Sequence, residues 1–255
     1  LDDIQPVDAK WQIPETLYDK IEHFTFAGLV SPVLPFYIKD STPVRLVMGI
    51  LDKHPHWGLT KEVRNTKSKY DMVKARVQMR LTDRRAAIKK AIMLSIGPPS
   101  QHEPTSASEG RRPQIAALTP LVLKKKQAES VRVDIVKLCT AIANEHSDSE
   151  IVVTVQMCAR FAFLRHVFVQ SVCNPALAGC SYWQLVDAQL DLLRAQYPDD
   201  PSSVTRVLTM MLNDDRREYG QPDSVIEPHE TDAAPNATQR IADSAAHGDF
   251  TEEED

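Results

Sequence analysis

Glycine is scarce in this chain: eight among 255 residues, where an average composition would supply about 7%. Loops that bring backbone against phosphate need glycine, and so do turn-rich all-β folds, so both are disfavoured. Long apolar runs are missing as well. The longest, residues 151–169, is interrupted by Gln156, Arg160 and Arg165, short of the ~20 residues of a membrane span, and no membrane partner is expected. Cysteine is limited to Cys139, Cys158, Cys173 and Cys180, with no C-x-x-C pair. Three of them fall in apolar helical patterns, where free thiols act as small hydrophobes, which points to a reducing, intracellular compartment. His166, Cys173 and Cys180 recur every seven residues, but Pro175 and Gly179 break any helix that would align them and a fourth ligand is lacking, so no metal is expected. The chain also lacks G-x-S-x-G, H-E-x-x-H and the glycine-rich phosphate and dinucleotide patterns. No catalytic residue and no cofactor is therefore assigned, and a non-enzymatic role is expected. The first residue is Leu rather than Met, which is expected of a truncated chain.

What the chain does have is helical spacing punctuated by seventeen prolines. Pro14 suits a first helical residue, with Leu17, Ile21 and Phe24 following at four and three. Thr42-Pro43 predicts a second start, its hydroxyl capping and its ring pre-setting φ, with Val44, Val47, Met48 and Leu51 as the apolar face. Trp57-Gly58-Leu59-Thr60 reads as a turn. Tyr70, Val73, Val77, Leu81, Ile88 and Ile92 lie within roughly 100° of arc at 100° per residue, a core-facing stripe. Thr82-Asp83 within it allows either a capping break or one continuous helix. Beyond the unpatterned residues 97–125, a helix is expected to resume near Ala128 with Val131, Ile135, Leu138 and Ile142 in register. Ile151-Val152-Val153 looks extended, and Thr154 can cap a helix with a broad apolar surface. Ser181 starts another with Leu185, Ala188 and Leu192 in register. Asp200-Pro201 starts the last, with Val204, Val207, Leu208 and Met211, and Asp214 to Glu218 reads as its charged end.

The expected fold is all-α: an irregular bundle of about six or seven helices. It divides into a loose arm (1–11), an N-terminal helical part (12–96), a Pro-rich linker or insertion (97–125), a C-terminal helical part (126–220) and an acidic tail (221–255). One cooperative unit is preferred over two small bundles, because about 85 residues alone bury little. The tail holds ten acids, Arg240 as its one basic residue, and only Val225, Ile226, Ile241 and Phe250 as large apolar residues. That composition cannot offset the cost of ordering a backbone, and disorder is expected.

Charge is strongly separated. Residues 61–90 carry eleven Lys/Arg against three acids, and residues 199–255 carry fifteen acids against four Arg. The basic helix region supplies the candidate nucleic-acid contacts: Lys74, Arg76, Arg80, Arg84, Arg85, Lys89 and Lys90, each able to neutralise a phosphate. On a helical wheel Arg76, Arg80 and Lys90 fall on one flank and Lys74, Arg85 and Lys89 on the other, with Arg84 near the apolar stripe. Basic residues on both shoulders of a core helix are often only its solvated faces. Lys124-Lys125-Lys126, with Arg111-Arg112 upstream, can serve as a nuclear-import signal or a phosphate-contacting arm.

The segments FTFAGLVSPVLPFYIKDSTPVRLVMGILDKHPHWGLT (24–60), RLTDRRAAIKKAIMLSIG (80–97) and CARFAFLRHVFV (158–169) resemble a group of proteins from mushroom-forming (basidiomycete) fungi that has no assigned activity. The resemblance spans most of residues 14–220. It implies a fungal, intracellular origin and a place among nuclear or mobile-element-associated proteins, and it transfers no functional residue. The leading expectation is a helical module that binds DNA, RNA or chromatin through the basic region, modulated by the acidic tail. The alternative is a helical scaffold or adaptor for a protein partner.

Overall fold

The computed structural model describes residues 11–97, 131–145, 151–177, 179–198 and 200–220. Most of the N-terminal arm, the insertion with Arg111-Arg112 and Lys124-Lys125-Lys126, and the whole acidic tail lie outside them. The described residues form eight α-helices and no strand, so the fold is all-α.

Helix α1, Glu15–Val30, buries Leu17, Ile21 and Phe24 as their spacing requires, and its last six residues are buried on every side. Pro14 is the N-cap rather than the first helical residue. Helix α2, Thr42–Asp52, follows Asp40 and Ser41, both left-handed with φ of 53°. Ser41 is the N-cap, so Thr42 already lies inside the helix and its hydroxyl does not cap. A short 3₁₀ turn, Pro55–Trp57, ends at Gly58 with φ of 115°. There a Cβ would stand 3.3 Å from both Pro14 and Leu17, so glycine is the residue that allows this turn to close.

Helix α3, Lys61–Asn65, is capped by the Thr60 hydroxyl. Helix α4, Lys67–Ser95, runs 29 residues without a break. At Thr82 the hydroxyl donates back to the Gln78 carbonyl at 2.9 Å, staying within the helix instead of capping a new one. Val73, Val77, Leu81, Ile88 and Ile92 are buried, with Tyr70 packed beside them.

Helix α5 spans Ile135–Asn144. Its start differs from expectation: Val131 is 67% exposed and lies ahead of the helix. Asp134 sets the true start by accepting from the amides of Val136 and Lys137, both at 3.0 Å. Residues 151–153 lie outside any helix or strand, and the Thr154 hydroxyl accepts from the Met157 amide to cap α6, Val155–Cys173. Helix α7, Tyr182–Gln196, turns a different face inward from the one expected. Tyr182, Trp183, Val186, Asp187 and Leu190 are buried, while Ala188 and Leu192 are exposed. Burying two large rings outweighs burying Ala188 and Leu192, and Asp187 comes inside because backbone amides receive it. Helix α8, Pro201–Tyr219, is capped by Asp200. Its expected apolar positions are only partly buried, and Ser203, Leu212 and Asp215 are its buried residues. Asp215 is thus an interior residue and not part of a solvated helix end.

Helix α4 packs against α1, α2 and α3 and also against α5 and α6. Helix α6 is central to the second half, lying against α5, α7 and α8. One hydrophobic cluster runs from Leu17 in α1 to Leu212 in α8.

Candidate functional site

Arg76, Arg80 and Arg84 stand one per turn along α4, and all three reach Glu22 on α1. Arg76 Nη2 lies 3.1 Å from Glu22 Oε1. Arg80 and Arg84 share Oε2, the latter at 3.0 Å. Spacing of four residues lines up side chains on one helix face, and the burial of Val73, Val77 and Leu81 turns that face toward α1. Arg76 also donates to the Tyr18 hydroxyl and stacks 4.3 Å from the Tyr18 ring centre. Arg80 has a second carboxylate, Asp83, at 3.3 Å. The hydrogen bond to Glu22 raises the Arg80 pKa, whereas burial, and then the neighbouring Arg80 charge, lowers that of Arg84. Side-chain exposures of 15–24% for the three arginines and Glu22 mean this cluster joins two helices at the protein's edge.

The opposite flank of α4 is divided. Arg85 donates to the Tyr37 carbonyl at 2.7 Å and to the Thr82 hydroxyl at 3.1 Å, so it braces the α1–α2 connection. Lys74, Lys89 and Lys90 are exposed, and Lys89 Nζ sits 5.4 Å from the Tyr182 ring centre. The seven expected contacts therefore do not form one open face. Three close on Glu22, one braces a loop, and three lysines meet solvent.

Sequence reasoning missed the groups that hold the α1–α2 connection from its other side. Asp187 is 4% exposed and accepts from the backbone amides of Tyr37, Ile38 and Lys39 at 2.7, 2.8 and 2.8 Å. Arg160, 2% exposed, donates to the Leu34 carbonyl. Lys39 pairs with Asp191 at 2.6 Å. The one signal in the sequence was Arg160 within the broad apolar surface of α6; Asp187 falls off the Leu185–Ala188–Leu192 stripe expected to face the core. A second interior pair was also missed. Arg165 Nε lies 3.0 Å from Asp215 Oδ2, with side chains 0% and 5% exposed, and Arg165 Nη1 donates to the Val133 carbonyl at 2.8 Å. Burial pushes the Asp215 carboxyl up to about 6 and the Tyr219 phenol up to about 12, and lowers the Arg165 pKa. Among the described residues, no three His, Cys, Asp or Glu side chains gather as a metal ion would require.

An open groove of about 400 Å³ runs beside the arginine ladder, lined by Trp11, Gln12, Ile13, Tyr18, Met72 and Arg76. Tyr18 and Met72 are 39% and 36% exposed, and Met79, two turns further along α4, is 46% exposed. Large apolar side chains at such exposure are more characteristic of docking surfaces than of a catalytic cleft. No family model, curated protein or solved structure matches the chain. No helix among the described residues is long and apolar enough to cross a membrane.

Proposed function

We propose that this chain is a helical adaptor that binds another protein. The observation that carries this reading is the closure of Arg76, Arg80 and Arg84 on Glu22. Three arginines of the most basic stretch are spent on joining α4 to α1, and beside them a surface of Trp, Tyr, Met and Arg stays open. Those residue types are enriched where proteins meet. Selection from a displayed library of folded domains and fragments tests it. Reproducible enrichment over an empty support is the expected result. No enrichment, together with saturable duplex binding at low salt, would overturn it.

The second reading is a non-enzymatic module for nucleic acid or chromatin, modulated by the acidic tail. The exposure of Lys74, Lys89 and Lys90 favours it, since solvent-facing lysines can release counterions from a phosphate backbone. If it holds, duplex DNA or RNA affinity falls steeply with salt, and changing these three lysines to Gln flattens the slope. Affinity that is unaltered by those changes would return the lysines to a solubility role.

A further inference from the structure

The groove beside α1 and α4 has one chemically unsatisfied wall. Arg76 spends its Nη2 on Tyr18 and Glu22, while among the described residues its Nη1 makes no hydrogen bond. Its Nε, which has no partner among the described residues either, is buried and out of a ligand's reach. Glu22 is also divided among three guanidinium groups. Lys69, 5.9 Å from the Trp11 ring centre, adds a second cation at the far edge, paired at 2.6 Å with Glu62. Ile13 and Met72 give the groove an apolar lining. Such a groove suits a large apolar side chain with carboxylates next to it: the ring packs on the apolar lining, and a carboxylate accepts from Arg76 Nη1.

The chain itself carries that combination. In residues 221–255 the sole aromatic is Phe250, preceded by Asp249 and followed by Glu252, Glu253, Glu254 and Asp255. Phe250 lies thirty positions beyond Gly220 at the end of α8. A chain of that length has a root-mean-square reach of roughly 30 Å and an extended reach of about 100 Å, enough to cross a protein of this size. Tethering raises the local concentration of the segment toward the millimolar range, so weak contacts suffice. We infer that residues 249–255 dock in the Trp11–Tyr18–Met72–Arg76 groove, with Phe250 against Ile13 and Met72 and the acids toward Arg76. This deepens the adaptor reading: the segment competes with a protein partner for the same surface.

Benzoylphenylalanine placed at position 250 of the full chain gives a direct test, because the excited ketone inserts preferentially at methionine. The expected product is a cross-link within one chain to Met72 or to another groove residue. Its yield should fall several-fold when Asp249, Glu252 and Glu253 become Asn and Gln, and again as salt screens the charges. A synthetic peptide of residues 246–255 should compete with it. Mixing isotope-labelled and unlabelled chains separates links within a chain from links between chains. Links between two copies, links scattered outside the groove, or a yield indifferent to the acid changes would overturn the inference. None of these outcomes touches the adaptor reading, which stands or falls on the library selection.

Discussion

On α4, three arginines reach one carboxylate at the protein's edge; between α6 and α8, one arginine meets one carboxylate in the interior. The edge cluster keeps 15–24% of each side chain in water, so its charges are partly solvated and cost less to hold than a fully buried pair. Arg165 and Asp215 have given up nearly all their water. Among the described residues Asp215 Oδ1 and Arg165 Nη2 find no hydrogen-bond partner, and the rise of the Asp215 pKa to about 6 expresses that unrepaid desolvation. The difference shows that the same pair of residue types can join helices cheaply at a rim or fix a unique core arrangement at a cost.

The comparison breaks most easily at the buried pair. Changing Arg165→Ala leaves Asp215 buried without its cation and should cost about 3–5 kcal/mol in urea unfolding near pH 8. Arg165→Met combined with Asp215→Leu should restore most of that loss, since two apolar side chains need no partner. A single change costing less than about 1 kcal/mol would mean the pair is immaterial.

Asp187→Ala tests whether a buried carboxylate held by backbone amides behaves like the edge or like the interior. Three amides lose their acceptor, and a loss of about 2–4 kcal/mol is expected. Hydrogen exchange at Tyr37, Ile38 and Lys39 should quicken before the rest of the protein. Unchanged protection there would refute the clamp.

Acidity sharpens the contrast. The folded pKa of Asp215 is raised to about 6 from 3.8, so its contribution to stability is complete below the unfolded value and is lost as pH rises through 6. Lowering pH from 7 to 4 should therefore stabilise the wild type relative to Asp215→Asn, by about 2–3 kcal/mol across the window. Asp134 has its pKa lowered, although burial opposes its hydrogen bonds to Lys137 and Val136, and it works in the opposite sense in both proteins. A flat difference between them would remove Asp215 from the pH response.

Much of this architecture was legible in advance where local chemistry decides it. The Val73–Val77–Leu81–Ile88–Ile92 stripe, the Thr154 cap and the Asp200-Pro201 start each depend on a few neighbouring residues, and each is present. Faces chosen by distant partners were not legible. On α7 the register follows Trp183 stacking on Tyr37 at 4.9 Å and Asp187 meeting amides some 150 positions away. The same holds for the candidate site. The basic run on α4 was visible as charge, but Glu22 lies 54 to 62 positions upstream of the arginines it binds, and nothing local in α1 marks it as their counter-ion.

The closure of the arginine ladder is tested most directly by a double-mutant cycle on Glu22→Gln and Arg80→Ala, followed by urea unfolding at low and high salt. A coupling of about 1–2 kcal/mol at low salt is expected, because the groups are in contact and only partly exposed. It should diminish in high salt as their residual charge is screened, while the Arg165–Asp215 coupling hardly moves. A Glu22–Arg80 coupling of zero, with saturable duplex binding that disappears in Arg80→Ala, would contradict it and return the ladder to a nucleic-acid surface.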